Sequence, residues 1–117
     1  MAARPEPRFK KRMSCKVRLG QQDHSGIVLD VSRMGLFVQT NAAARVGENV
    51  EVILSRPERG GAITLVTAVR WQRRVPAQLR TVSHAGLGFQ ISHAEEGYYA
   101  LLAEALQGSA PVKGRAL

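Results

Sequence analysis

Short stretches of alternating apolar and polar residues, separated by turn residues, constrain the fold of this 117-residue chain more than any other feature. Such alternation places every second side chain on one face, as in a strand with one buried surface. Six stretches are predicted as strands, at 15–19, 25–31, 35–40, 50–54, 62–74 and 86–91. In the second, the alternation puts Ile27, Leu29 and Val31 on one face. Short strands at this spacing favour a small antiparallel barrel or sandwich over alternating strands and helices.

The last element of the chain has a different period. Ser92 and Glu95 have the spacing of a capping box, which predicts a helix that begins at Ser92, and Gly108 is a natural helix end. The apolar face of this predicted helix consists of Tyr98, Leu101, Leu102 and Ala105. The chain is therefore expected to be mainly β, with one C-terminal α-helix.

The length allows one domain with a modest core. We divide the chain into a flexible basic arm (1–12), the strands and helix (13–108) and a loose tail (109–117). No apolar run approaches a membrane span, and the N-terminus lacks the apolar region of a secretory signal, so a cytoplasmic protein without membrane insertion is expected. The single cysteine, Cys15, excludes an internal disulfide and is interpreted as a buried apolar residue.

The net charge of +8 indicates an anionic partner without identifying it. Most of the surplus is in two clusters of basic residues, one at Arg4, Arg8, Lys10, Lys11, Arg12, Lys16 and Arg18 and one at Arg70, Arg73, Arg74 and Arg80. Such clusters can equally be solvated surface or a disordered arm. The sequence motifs around the two clusters are needed to distinguish a binding site from these alternatives.

Arg8 and Arg12 lie four residues apart, before the first predicted strand. A guanidinium can hold a phosphate, or O6 and N7 of guanine, through two parallel hydrogen bonds, and it can stack on a purine. The same spacing recurs at Arg4/Arg8 and Arg70/Arg74, so the spacing alone is weak evidence.

Asp30, Ser32 and Gly35 form a second short motif, between the second and third strands. A carboxylate can accept the neighbouring N1–H and N2–H donors of guanine. The serine hydroxyl can donate to a phosphate or hold the turn, and glycine allows either a positive φ or a close backbone approach. The same three residues also describe a turn that does no more than connect two strands.

Taken together, the two motifs resemble those of the PilZ domains, bacterial receptors for cyclic di-GMP. Such domains carry Arg-x-x-x-Arg before the first strand of a six-stranded barrel and Asp/Asn-x-Ser-x-x-Gly between the second and third strands. The chain matches both motifs, in this order, at Arg8, Arg12, Asp30, Ser32 and Gly35. Further likeness lies in the segments Gly35-Leu36-Phe37-Val38, Val69-Arg70-Trp71 and Gly86-Leu87-Gly88-Phe89.

This resemblance implies a six-stranded antiparallel PilZ-type barrel that binds cyclic di-GMP as its ligand, orders its arm over it and signals through a downstream effector protein. Arg8 and Arg12 would hold phosphate and the Hoogsteen edge of guanine, and Asp30 its Watson–Crick donors. Pro7, at the position before the first arginine, favours one ligand per chain. The accessory candidates for the site are Arg4, Lys11, Arg33 and Arg70.

Other functions remain as alternatives. A small basic barrel can bind nucleic acid, although aromatic residues amount to only 5% of the chain. A PilZ-like structural adaptor without ligand is a further alternative, against which the intact motifs argue. No catalytic constellation and no metal-ligand spacing among the histidines stands out, so we expect neither an enzyme nor a metal or cofactor. Trp71, alone on a long strand, is interpreted as a core residue.

Overall fold

The computed structural model describes residues 8–56, 61–76, 78 and 85–108, and this part of the chain forms one closed β-barrel with a helix. The elements are β1 (Phe9–Leu19), β2 (Gln22–Val31), β3 (Gly35–Thr40), β4 (Asn49–Arg56), β5 (Gly61–Arg73), β6 (Gly86–Ala94) and α1 (Glu96–Gly108). The strands are arranged in the order β1-β2-β3-β6-β5-β4, and antiparallel pairing of β1 with β4 closes the barrel. The predicted fold class, a six-stranded antiparallel barrel with a C-terminal helix, is confirmed.

Alternating side chains fill the barrel, as the sequence pattern predicts. In β4 every second residue from Val50 to Arg56 is buried, and in β5 every second residue from Ile63 to Val69. Most of the fully buried side chains are branched aliphatic residues, which suit the pleated surface of a strand: Val17, Val28, Val31, Leu36, Val38, Val52, Leu54, Leu65 and Val69. Cys15 is buried as predicted, and its burial raises the pKa of the thiol to about 12.

Besides a shift between Val66 and Thr67, irregular pairing interrupts this alternation in three places. Between Val28 and Asp30, β2 has one residue more than its partner β3. Between Val69 and Trp71, β5 has one residue more than β6. The third irregularity lies between Lys10 and Met13 of β1, opposite β2. An extra residue in one strand reverses the inward and outward assignment of the residues beyond it, and such bulges often re-aim side chains at functional sites.

Two predictions are wrong because of these bulges. Ile27, Leu29 and Val31 do not share a buried face: Val28 and Val31 are buried, and Ile27 is 39% exposed. Trp71 is not a core residue. The buried alternation of β5 would place it inside the barrel, but the extra residue before it turns the side chain outward, where it is 40% exposed.

Helix α1 packs against the barrel through the buried Tyr98, Leu101 and Ala105 and the partly buried Leu102, which confirms the predicted apolar face. The predicted start at Ser92 is wrong, because β6 continues to Ala94 and the helix begins at Glu96. The Ser92 hydroxyl donates to the Val66 carbonyl, and the carboxylate of Glu95 accepts the backbone N–H of Thr64, so both side chains bind β5 instead of capping each other.

The start of β1 also differs from the prediction, whereas its end at Leu19 is as predicted. The strand begins at Phe9, so residues 9–12 belong to the barrel, whereas the sequence assigned them to the arm. Arg4, Pro7, Arg80 and the tail at 109–117 lie outside the described residues. Within the described part, no helix has the length and apolar character needed to cross a membrane.

Candidate functional site

The turn between β2 and β3 is held by one buried side chain. The Ser32 hydroxyl accepts the backbone N–H groups of Gly35, at 3.1 Å, and Met34, at 3.3 Å, and it donates to the Gly35 carbonyl at 3.2 Å. Ser32 is only 1% exposed, and its own N–H donates to the same carbonyl at 2.8 Å. Of the two roles that the sequence allowed for this hydroxyl, the structure shows that it holds the turn.

Gly35 is required here by close packing and not by its backbone angle. A Cβ at this position would lie 2.3 Å from the carbonyl oxygen of Phe89 on β6, and no positive φ is found at Gly35. The next residue back in the chain, Met34, accepts the N–H of Ile91 through its carbonyl at 2.7 Å. The turn is therefore pressed against β6 and fixed to it.

Helix α1 supports the turn from the inside. The hydroxyl of Tyr98, a fully buried residue, donates to the Ser32 carbonyl over 2.7 Å. A buried tyrosine hydroxyl needs such a partner, and the bond fixes the helix relative to the turn. Sequence reasoning placed Tyr98 in the helix core but gave no sign of this contact, because the two residues are 66 positions apart.

Arg8 and Asp30 join the start of β1 to the end of β2. The Arg8 Nε donates to Oδ1 of Asp30 at 2.8 Å, and its Nη2 lies 2.6 Å from the same oxygen. The side chains are 35% and 21% exposed, so the pair is partly screened from water. The extra residue in β2 just before Asp30 sets the direction of this carboxylate.

Arg8, Ser32 and Gly35 border one surface depression of about 240 Å³. Its other lining residues are Met34, Leu36, Arg70, Trp71, Phe89 and Gln90. The lining contains two arginines and no acidic residue, and Asp30 stands beside it as the partner of Arg8. This arrangement suits a ligand that is anionic and also offers hydrogen-bond donors to a carboxylate.

An aromatic surface forms the side of the depression on β5. The rings of Trp71 and Phe37 are stacked, with centroids 5.1 Å apart and 7° between the planes, and the Arg73 guanidinium lies 5.1 Å from the centre of the Phe37 ring. The indole lies across Gly88, where a Cβ would come within 2.3 Å of the ring. Sequence reasoning assigned Trp71 to the core, because a bulge cannot be inferred from alternation alone.

The remaining candidates take different positions. Arg70 lines the depression and donates to the Gln90 side chain. The Arg12 side chain is exposed and does not line the depression, Arg33 is exposed in the turn, and Lys11 is half-buried in β1. The structure thus brings Arg8, Asp30, Ser32 and Gly35 together, as the sequence predicts, and leaves Arg12 outside the preformed surface.

A larger cavity, of about 680 Å³, shares no lining residue with the depression. Its walls come mainly from the middle of β1 and β2 and from β3 and β4, and Lys16 is the one charged side chain among its lining residues. In the described part of the chain, no three His, Cys, Asp or Glu side chains lie close enough to hold a metal ion. Charge and hydrogen-bonding groups, rather than size, therefore single out the smaller depression.

A barrel with this turn on its surface is the architecture of a PilZ domain, and the comparison with protein families agrees. The PilZ domain model matches residues 3–108, so the chain belongs to the PilZ domain family. A solved structure that it resembles is that of the Bacillus subtilis inhibitor of motility (MotI/DgrA), with a TM-score of 0.70 and 17% identity. The match covers 92% of this chain and 51% of that chain, so this chain spans about half its length. A search of the curated proteins found no match.

Proposed function

We propose that the chain is a cytoplasmic cyclic di-GMP receptor that passes the signal on by contact with another protein. The observation that carries the proposal is the meeting of both sequence motifs at one place. Arg8, the residue before β1, and the Ser32–Gly35 turn border one depression, and Asp30 is bonded to Arg8. Membership of the PilZ family, whose domains act as receptors or adaptors, supports it.

The chemistry of the ligand matches the groups around the depression. Arg8 and Arg70 offer guanidinium donors to phosphate or to the Hoogsteen edge of guanine. The Asp30 carboxylate can accept hydrogen bonds from the Watson–Crick donors of guanine while it also accepts from Arg8. The half-exposed indole of Trp71 provides a flat surface on which a purine can stack.

The size of the depression explains why further residues are needed. About 240 Å³ is below the range of roughly 300–1,000 Å³ typical of small-molecule pockets, so the preformed surface holds only part of a dinucleotide. Since Phe9 to Arg12 already belong to β1, the segment that closes over the rest of the ligand is the one before Arg8, with Arg4. Arg12 reaches the ligand from the exposed face of β1. Ordering this segment costs about 1–2 kcal/mol per backbone residue. The ionic and stacking contacts with the ligand have to exceed this cost.

Nucleic acid suits this surface less well. All six aromatic residues lie in the described part of the chain, and of these only Trp71 and Tyr99 are exposed, on different elements. Platforms for single strands usually present several rings along one basic groove.

Calorimetry with cyclic di-GMP tests the proposal. Arg8→Ala, Arg12→Ala and Asp30→Ala should each weaken binding by about tenfold to a hundredfold, the effect of losing one or two hydrogen bonds to a charged group. The chain has a matched control in the Arg18–Asp23 pair, which joins the same two strands with the same Nε–Oδ1 distance of 2.8 Å. Arg18→Ala and Asp23→Ala should leave the affinity unchanged. Equal affinity in all five variants would disprove the site, and binding of DNA without any response to the dinucleotide would disprove the function.

A further inference from the structure

The two guanidiniums that line the depression differ in their partners. Arg8 donates to the carboxylate of Asp30, whereas Arg70 donates to the side-chain oxygen of Gln90, a neutral amide. Within the described part of the chain, Arg70 forms no ion pair. A carboxylate offsets the charge of the guanidinium that it binds, while an amide orients the guanidinium and leaves its charge in place. Among the lining residues, the uncompensated positive charge is therefore that of Arg70.

Arg70 takes its position from the bulge in β5. Val69 pairs with Phe89 of β6 and Trp71 pairs with Gly88, so Arg70 is the extra residue and has no residue opposite it on β6. A bulge re-aims the side chain of the residue that it adds. The Arg70 side chain is exposed and lines the depression, so the bulge brings a third element, β5, to the two sequence motifs.

Gln90 connects Arg70 to the motif turn. On β6 it lies directly opposite Gly35 of β3, and the next residue, Ile91, donates its N–H to the Met34 carbonyl at 2.7 Å. The amide that orients Arg70 thus belongs to the part of β6 that is fixed to the turn. Since Gln90 also lines the depression, its own amide N–H groups are available to the same ligand.

We infer that Arg70, oriented by Gln90, binds a phosphodiester of the ligand, while the Arg8–Asp30 pair binds a guanine base. A phosphodiester carries one negative charge, which is attracted most strongly to the guanidinium that no carboxylate balances. The edges of a base are neutral and offer both donors and acceptors, which suits a paired acid and base. Arg70 and Gln90 belong to neither sequence motif. The assignment rests on the proposed function and divides its ligand between two groups of residues.

Calorimetry with cyclic di-GMP and the full chain tests the assignment. Arg70→Gln should weaken binding about tenfold, as expected for one lost bond to a charged group at an exposed position, and should make the affinity less dependent on salt. Gln90→Glu is the sharper variant, because it keeps the guanidinium and its hydrogen bond and adds only a carboxylate. It should weaken binding to a similar extent, whereas Gln90→Met, which removes the acceptor without adding charge, should cost about threefold.

The chain offers a matched control in Arg74 and Gln72. The Arg74 Nε lies 3.4 Å from the Gln72 Oε1, so this is a second arginine bonded to an amide, and neither residue lines the depression. Arg74→Gln and Gln72→Glu change the net charge as the test variants do, and both should leave the affinity nearly unchanged. An unchanged urea midpoint shows that each variant is folded.

Cyclic GMP–AMP separates the phosphate from the base, since it has the same phosphodiesters and one guanine fewer. Arg70→Gln should lower the affinities for both cyclic dinucleotides by the same factor, whereas Asp30→Ala should reduce the preference for cyclic di-GMP about threefold or more.

Three results would overturn the assignment while the proposed function stands. These are unchanged affinity in Arg70→Gln or in Gln90→Glu, an equal loss in Arg74→Gln, and a changed preference between the two dinucleotides in Arg70→Gln, which would give Arg70 to a base. If the wild type binds neither dinucleotide, the proposed function is wrong and the assignment fails with it.

Discussion

Two arginine–aspartate pairs connect β1 and β2, one at each end of the hairpin. Comparing them shows which surroundings distinguish the proposed ligand site from an ordinary surface ion pair. In both pairs the arginine Nε lies 2.8 Å from Oδ1 of the aspartate. The residue types and this distance are the same, although Arg8 bonds one oxygen of Asp30 through two nitrogens and Arg18 bonds both oxygens of Asp23. The surroundings differ as well, and the proposed difference in function comes from them.

The pair at the hairpin turn, Arg18 with Asp23, is exposed and balanced in charge. The side chains are 44% and 34% exposed, and Glu51 of β4 places a second carboxylate 3.5 Å from the same guanidinium. The hydrogen bond from Arg18 lowers the pKa of Asp23, and the two carboxylates together raise that of Arg18. Lys16 also acts electrostatically on Asp23, so two acids meet two bases at this end of the hairpin and leave no surplus of positive charge for an anion.

The pair at the other end, Arg8 with Asp30, has basic and aromatic neighbours instead. Arg70 and Trp71 line the same depression, and the rigid turn at Ser32 stands beside it. Bulges in β1, β2 and β5 set the directions of these side chains. A surplus of positive charge next to a preorganised turn is what the hairpin end lacks, and this difference supports the proposed site at Arg8.

The largest expected difference between the two ends concerns their glycines. Gly35→Ala places a Cβ 2.3 Å from the Phe89 carbonyl oxygen, and relief requires separation of β3 from β6. We expect a loss of about 3 kcal/mol or more in the free energy of unfolding. Gly20, in the hairpin turn, has a φ of 61° and open space around it, so Gly20→Ala should cost only about 1–2 kcal/mol, the strain of a left-handed alanine.

Urea denaturation of both variants measures this difference. Gly61→Ala is a suitable control, since nothing lies within 4 Å of its added methyl group and no positive φ is found there. A smaller loss for Gly35→Ala than for Gly20→Ala would show that the turn can move away from β6, and the rigid turn would have to be abandoned.

The serine of the motif turn gives the next largest effect. Ser32→Ala removes the acceptor of the Met34 and Gly35 N–H groups in a site that is 1% exposed, and the loss should be about 2 kcal/mol. At the hairpin end, Gln21 is exposed in the turn, and Gln21→Ala should change stability by less than about 0.5 kcal/mol. Equal effects of the two substitutions on the urea midpoint would contradict the role of the Ser32 hydroxyl.

Much of this architecture could be predicted from the sequence, because alternation and turn residues act locally. Six strands, the helix and the order of the motifs follow from such local patterns. The resemblance predicts one site from Arg8, Arg12, Asp30, Ser32 and Gly35, and all of these except Arg12 meet at the depression. The bulges could not be predicted. A bulge is defined by comparing the number of residues in one strand with the number in its partner strand. The pairing of distant segments leaves no signal in the local sequence.

The bulges account for two of the wrong predictions, the shared face of Ile27, Leu29 and Val31 and the core position of Trp71. Trp71 was assigned to the core because β5 alternates regularly up to Val69. The capping box at Ser92 was wrong for a related reason: Ser92 and Glu95 bind β5, a strand that local spacing does not reveal. Whether the segment before Arg8 closes over a ligand stays a prediction.

A smaller effect is expected for the Arg8–Asp30 pair itself. A double-mutant cycle with Arg8→Ala and Asp30→Ala should give a coupling of about 0.5–1 kcal/mol in folding, since the pair is partly exposed. That coupling should fall as salt is added. A coupling of several kcal/mol would mean that Arg8 serves mainly the fold, and a ligand would then have to break a structural bond to reach Asp30.

The smallest effect concerns protonation at the hairpin end. The hydrogen bond from Arg18 lowers the pKa of Asp23 below its ordinary 3.8, so the folded state releases this proton more readily than the unfolded chain does. The stabilisation from the pair is therefore present above about pH 4 and is lost as the pH falls through the lowered pKa. Carboxyl titration by NMR should show the lowered value in the wild type and a return toward 3.8 in Arg18→Gln, while Arg8→Gln leaves Asp23 unchanged. If Arg8→Gln shifted Asp23 as strongly, the two ends of the hairpin would share one electrostatic field, and their separation into a balanced end and a binding end would fail.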